Sequence, residues 1–248
     1  MRTPAIAQAH SAKGFVENLE SYLSPEELEK YRSSLKTARS GKEEADVRMG
    51  VRMGQVFALA KEFVDLSPPE IEKLLESPVH DVRAGAVSIM DWQARSKKTP
   101  ESRKKELYDI YIRRHDRIND WDLVDRSAPY VVGSYLFDKP REILYQLARS
   151  KNMWERRTAI TSTYYFIRQN DLDDTFKIAE ILVYDEQHLV QKAVGGWVRE
   201  AGKKDQKMLL AFLDKYAATM PRTALRYAVE HLEPKQKAYY MDLKKSRS

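Results

Sequence analysis

The sequence predicts an all-α protein, a curved α-solenoid of HEAT-like helix pairs with a concave basic face, on three observations. Signals that start helices recur at short intervals along the 248 residues. Apolar residues fall near the 3.6-residue spacing of a helix, with no alternation over a strand length. A short motif also repeats, with Ala86-Val87, Ala159-Ile160 and Ala193-Val194 at matching places, each shortly after a basic residue. Ala86 and Ala159 are 73 positions apart and Ala159 and Ala193 are 34 apart, so two periods separate the first pair and a missing copy falls near 120–130. Repeats of roughly 40 residues are the period of HEAT-like helix pairs, whose stacked neighbours bury what one pair cannot.

Taken in order, Ser24-Pro25-Glu26-Glu27 and Ser67-Pro68-Pro69-Glu70 each place a capping hydroxyl before proline in the first turn, with glutamate at the capping-box position. Ser77-Pro78, Thr99-Pro100 and Pro221 are weaker versions. The stretches 82–94, 106–114, 153–167 and 208–216 carry helical apolar spacing, and about twelve helices are predicted with essentially no sheet. One domain spans 1–248, with frayed ends at about 1–10 and 243–248. One helix of each pair lines the concave face of a solenoid, and these open near Asp46 to Met53, Val82, Asn119, Met153 and Gln187.

Composition excludes whole chemistries. The chain has no cysteine, so it has no disulfide, thiolate metal site or cysteine nucleophile. Its five histidines never fall three or four residues apart, which removes the usual helical metal-ligand pair, and no metal is expected. No Gly-rich phosphate loop or nucleophile elbow is present, so no nucleotide cofactor is expected either. The longest uncharged apolar run, from Ala128 to Phe137, is far short of the roughly 20 residues that span a bilayer. A cytoplasmic protein without a membrane partner is predicted. Lys and Arg number 43 against 37 Asp and Glu, a net charge of +6 that favours an anionic partner such as nucleic acid.

The densest segment is 119–130, Asn-Asp-Trp-Asp-Leu-Val-Asp-Arg-Ser-Ala-Pro-Tyr. Asn119 or Asp120 can cap a helix on which Trp121 and Asp125, four apart, share one face. Periodicity alone favours Trp121 as a core residue and the acids as complements to the helix dipole.

NDWDLVD followed by APYVVGSYL, then MWERRTAI and HLVQKAVGGWVRE, resembles the bacterial DNA alkylation repair family of AlkD-like DNA glycosylases. The similarity runs over about residues 23–216 with order and spacing kept. It implies a monomeric, cofactor-free enzyme that hydrolyses the N-glycosidic bond of cationic N3- or N7-alkylated purines in duplex DNA. By matching motif positions, Asp125 would be catalytic and Trp121 would pack against the lesion's backbone and sugar. Arg157 would contact DNA, with Arg156 and Lys192 beside it in their motifs, and Tyr31 would be an N-terminal aromatic near the lesion. The family pattern QKAxGWxxRE places a second indole where Gly196 stands here, with Trp197 one residue later. Trp197 is counted with Arg157, Tyr31, Lys192 and Arg156 among the expected DNA-binding residues; one residue turns about 100° around a helix, so the alternative is that Trp197 faces the core and that side of the aromatic clamp is open. Two other readings share the fold: a non-catalytic binder of damaged or branched DNA, and a protein-interaction scaffold.

Overall fold

The computed structural model describes residues 10–37 and 47–243. Residues 1–9, 38–46, with Asp46 of the expected helix start, and 244–248 lie outside the described residues. Secondary structure among the described residues is helical, and the only strand-like pairing is an isolated bridge between Val47 and Val79. The helices outnumber the expected twelve, and short ones such as Ser134–Leu136 and Glu142–Leu147 are among them. The chain forms two compact units, Met1–Ser127 and Ala128–Ser248.

The first unit holds α1 (Ala12–Glu20), α2 (Pro25–Thr37), α3 (Met53–Glu62), α4 (Pro68–Leu75), α5 (His80–Arg95), α6 (Glu101–Arg113) and α7 (Trp121–Ser127). Ser24 caps α2 as its sequence predicts, its hydroxyl accepting the Glu27 N–H at 3.3 Å. Ser67 does not use its hydroxyl this way, and α4 instead relies on the proline-fixed first turn. Its expected capping-box partner, Glu70, accepts the first amide of α1, Ala12 N–H, at 2.7 Å. Long α5 is the centre of the unit and packs on α3, α4, α6 and α7. Phe15, Leu59, Ile71, Leu75, Ile89, Met90 and Leu107 fill the space between them.

The second unit opens on a π-helical turn (Ala128–Gly133) and continues with α8 (Ser134–Leu136), α9 (Glu142–Leu147), α10 (Met153–Arg168), α11 (Asp173–Leu182), α12 (His188–Gly202), α13 (Gln206–Tyr216), α14 (Arg222–Ala228) and α15 (Pro234–Leu243). Pro129 has no N–H for an α-helical bond, which accounts for irregular winding at this point. Gly133 lets the π turn touch α10, since a Cβ there would sit 2.2 Å from the Ser162 carbonyl oxygen. Gly195 does the same for α12 against α14, where a Cβ would lie 2.3 Å from the Ala224 oxygen. A shorter helix followed by a longer one recurs as α4/α5, α9/α10 and α11/α12, each pair in contact.

The repeat register is visible in the backbone. Val79, Asn152 and Gln187, the residues before α5, α10 and α12, share extended φ,ψ values of −85°,121°, −77°,118° and −81°,118°. Four residues on, Arg83, Arg156 and Gln191 each donate back to the carbonyl six positions upstream, those of Ser77, Ser150 and Asp185. In the first two copies a basic residue before the alanine, Arg83 or Arg156, is therefore a staple of the turn, and in the third Gln191 takes that role. This register pairs Ala86 and Ala159 with Val194 rather than with Ala193, one place from the alignment that the alanines suggest.

Candidate active site and nucleic-acid interface

In the first unit, α7 is tied to α5 at both ends by buried polar contacts. At its start, Asp120 accepts the Trp121 N–H at 2.7 Å, and its carbonyl accepts from Val124 N at 3.2 Å to open the helix. The His80 ring at the beginning of α5 is 0% exposed, and its Nε2 lies 2.9 Å from Asp122 and 3.5 Å from Asp120. Arg48 stands 3.5 Å from Asp120, and its guanidinium lies 4.7 Å over the Tyr31 ring. Burial by itself pushes the His80 imidazole down, yet the hydrogen bonds of Asp120 and then Asp122 outweigh it and raise the ring above its usual value. Asp120 responds in the opposite sense: burial pushes its carboxyl up, but His80, the Trp121 amide and Arg48 together hold it below the ordinary range.

At the other end, the Arg126 Nε–H reaches Ser88 Oγ at 3.3 Å, and the guanidinium lies 3.3 Å from Asp91, which also pairs with Arg95 at 2.8 Å. The Arg126 guanidinium is flanked by the Phe57 ring at 4.8 Å and the Trp92 ring at 5.3 Å. Burial raises the Asp91 carboxyl despite both arginines, and burial lowers Arg126. Between these anchors, Leu123 and Val124 face the core while Trp121 is 51% exposed and Asp125 is half-buried. The expected pair thus sits on the outward side of a short helix held firmly from beneath.

His80, Asp120 and Asp122 bring three ligand-type atoms within 4.8 Å of one another, the only such group among the described residues. Sequence spacing hid it, because His80 is forty positions from Asp120. Arg48 and the Trp121 amide already engage the Asp120 carboxylate, and the His80 Nδ1 has no partner to orient the ring as a ligand. The donors suit an ion cluster better than a cation site.

In the second unit, Arg157 and Lys192 occupy the same place in their helices, five residues after the extended residue that precedes each one. Arg157 is 7% exposed and donates to the Leu189 carbonyl in the first turn of α12. Lys192 is half-exposed and makes no side-chain hydrogen bond or ion pair among the described residues. Arg156, grouped with them from the sequence, holds Asp185 through two nitrogens at 2.5 and 3.2 Å and the Ser150 and Lys151 carbonyls at 2.9 and 3.0 Å. Among the described residues, the contacts of that guanidinium are all with its own fold. Trp197 is half-buried, tilted against Tyr164 at 5.0 Å between ring centres, with its indole N–H 3.2 Å from Thr161 Oγ1. Nothing lies within 4 Å of a Cβ built on Gly196.

Sequence reasoning passed over Arg48, His80 and Asp122. The one available signal was in the repeat, where His80 begins its helix at the place that Met153 takes in α10.

A helical-repeat protein with an indole and a carboxylate one turn apart on a doubly anchored helix is the class that fold and site define. The chain belongs to the family of DNA alkylation repair enzymes, whose model matches residues 15–232. Its fold is that of the solved structure of a predicted DNA alkylation repair enzyme from Enterococcus faecalis, at 17% identity and a TM-score of 0.67, covering 86% of this chain and 97% of that one. AlkD2 from Streptococcus mutans is also similar, at 17% identity and a TM-score of 0.45, over 94% and 97% of the two chains. Among curated proteins, none matches the chain. No helix among the described residues is long and apolar enough to cross a membrane.

Proposed function

We propose that the protein is a monofunctional DNA glycosylase that removes cationic N3- or N7-alkylated purines from duplex DNA. The observation that carries this is Asp125, a half-buried carboxylate one helical turn from the exposed Trp121. A carboxylate facing phosphates opposes binding, and its use lies in chemistry.

The alkylated purine is already positively charged. When its N–C1′ bond breaks, the bonding electrons go to the base nitrogen and the base leaves neutral. Positive charge then develops on the deoxyribose, where a fixed carboxylate lowers the barrier. Water adds to C1′ with its proton taken by Asp125 and passed to solvent, in the manner of glycoside hydrolysis through an oxocarbenium-like state. The products are the free base and an abasic site. Trp121 offers its ring to the sugar and backbone beside the lesion and favours the cation electrostatically. On the second unit, Lys192 supplies a phosphate contact, while Arg157 is held on the Leu189 carbonyl.

Single-turnover release of 7-methylguanine from duplex DNA is the test. Asp125→Asn keeps the size and removes the charge, and release should fall about 10²–10³-fold, the loss typical of one electrostatic group in an active site. Binding should hold or tighten. Equal rates for the variant and the wild type, or no wild-type release above the spontaneous rate, would overturn the assignment in favour of non-catalytic DNA binding.

A further inference from the structure

Trp121 has an acidic residue on each side, and both carboxylates converge on one buried ring. Asp120 precedes it and Asp122 follows it, and the His80 Nε2 lies 3.5 and 2.9 Å from them. A carboxylate at a helix start normally finds amides or solvent. Here a 0% exposed imidazole from the first residue of another helix stands beneath two of them. We propose that His80 is a positioning residue of this site: its ring holds the carboxylates on either side of Trp121 and so fixes the first turn of α7, from which Trp121 and Asp125 project.

The surroundings argue that this contact is specific rather than incidental. The His80 backbone N–H is itself held by the Val47 carbonyl at 2.8 Å, so the ring enters from a fixed point. The neighbouring Asp81 carboxylate is turned the other way, accepting the Met49 and Val51 amides at 3.0 and 3.4 Å. On the same helix, Arg83 is directed to the Ser77 carbonyl and to Asn119 Oδ1, at 3.0 and 3.2 Å. The groups left facing the ring are Asp120 and Asp122 from the start of α7 and Arg48 from the 47–52 segment. With the imidazole protonated, two cations balance two carboxylates. Once the proton is lost, a buried negative charge is left unbalanced where Trp121 is anchored. The same four groups reach Tyr31 through Arg48, so the ring also links the N-terminal aromatic to the indole. Protonated His80 therefore favours the placed indole, and its deprotonation loosens it.

The proposal rests on the glycosylase reading for its activity readout alone, so the experiment has a second readout independent of it. In the full chain, the His80 ring is titrated by NMR while the Trp121 indole N–H signal, identified by its loss in Trp121→Phe, is followed over the same pH range. The Trp121 signal is expected to move with the His80 midpoint. In Asp122→Asn, which keeps an acceptor for the ring and removes one charge, both midpoints should drop together by about one pH unit. Base release from alkylated duplex should fall as pH rises through the same midpoint, and in His80→Gln it should be reduced about 10- to 100-fold with affinity for duplex within about twofold. An indole signal that ignores the His80 titration overturns the proposal, as does base release that a chelator abolishes and a divalent cation restores. If His80→Gln fails to fold, the paired midpoints of wild type and Asp122→Asn decide alone. If the wild type releases no base, the glycosylase reading fails while the indole titration still decides the role of His80.

Discussion

Arg156→Ala separates a role in holding the repeat together from a role in gripping DNA. The Arg156 guanidinium bridges two successive turns of the solenoid motif, meeting Asp185 before α12 and the Ser150 and Lys151 carbonyls before α10. Asp185 is 4% exposed at the side chain and Arg156 16%, so truncation leaves a carboxylate nearly without water. Removing one partner of a buried pair costs about 3–5 kcal/mol, and the lower end applies because Asp185 keeps the Gln187 amide at 2.8 Å. About 3 kcal/mol lowers Tm by about 6–12 °C for a chain of this size. Thermal unfolding by circular dichroism measures that shift, and fluorescence anisotropy at low temperature measures duplex affinity of the still-folded variant. Tm should fall while affinity stays within about twofold. An unchanged Tm with a tenfold loss of affinity would refute the staple and return Arg156 to the DNA surface.

Stability should depend on His80 near neutrality. Its folded value is raised, so its contribution is complete below about pH 6.5 and is lost as pH rises through the folded value; urea midpoints of the wild type should drop over that window, and those of His80→Gln should not. Lys192→Ala should flatten the salt dependence of duplex binding by about 0.9 in log K per log salt, one phosphate contact, and leave Tm unchanged. Gly196→Trp adds an indole into open space, so folding should tolerate it; if the second clamp position of the resembled family lies there, affinity for alkylated duplex should rise about threefold or more, and no rise in a folded variant would place residue 196 away from the DNA.

Helix, and nothing but helix, was legible in the chain because its signals are local: proline-fixed first turns, capping hydroxyls and apolar spacing all act within a few residues. That Trp121 and Asp125 share a face was legible for the same reason, since four positions on a helix decide it, but periodicity alone favoured Trp121 as a core residue and only the packing of α7 turns it outward, 51% exposed. The repeat was legible only approximately. Ala193 looked like the third copy, but the register is set by the turn staple, which places Val194 there. Tertiary structure alone decided what each charge does. Arg156 and Arg157 are neighbours of one type, yet packing of α12 gives the first to Asp185 and the second to Leu189. His80 carries no mark in the sequence beyond an isolated histidine, and only the packing of α5 on α7 brings it under Asp120 and Asp122 across some forty residues. Local propensity is encoded in neighbours along the chain, whereas the partner of a buried charge is chosen by desolvation, which depends on which helices meet.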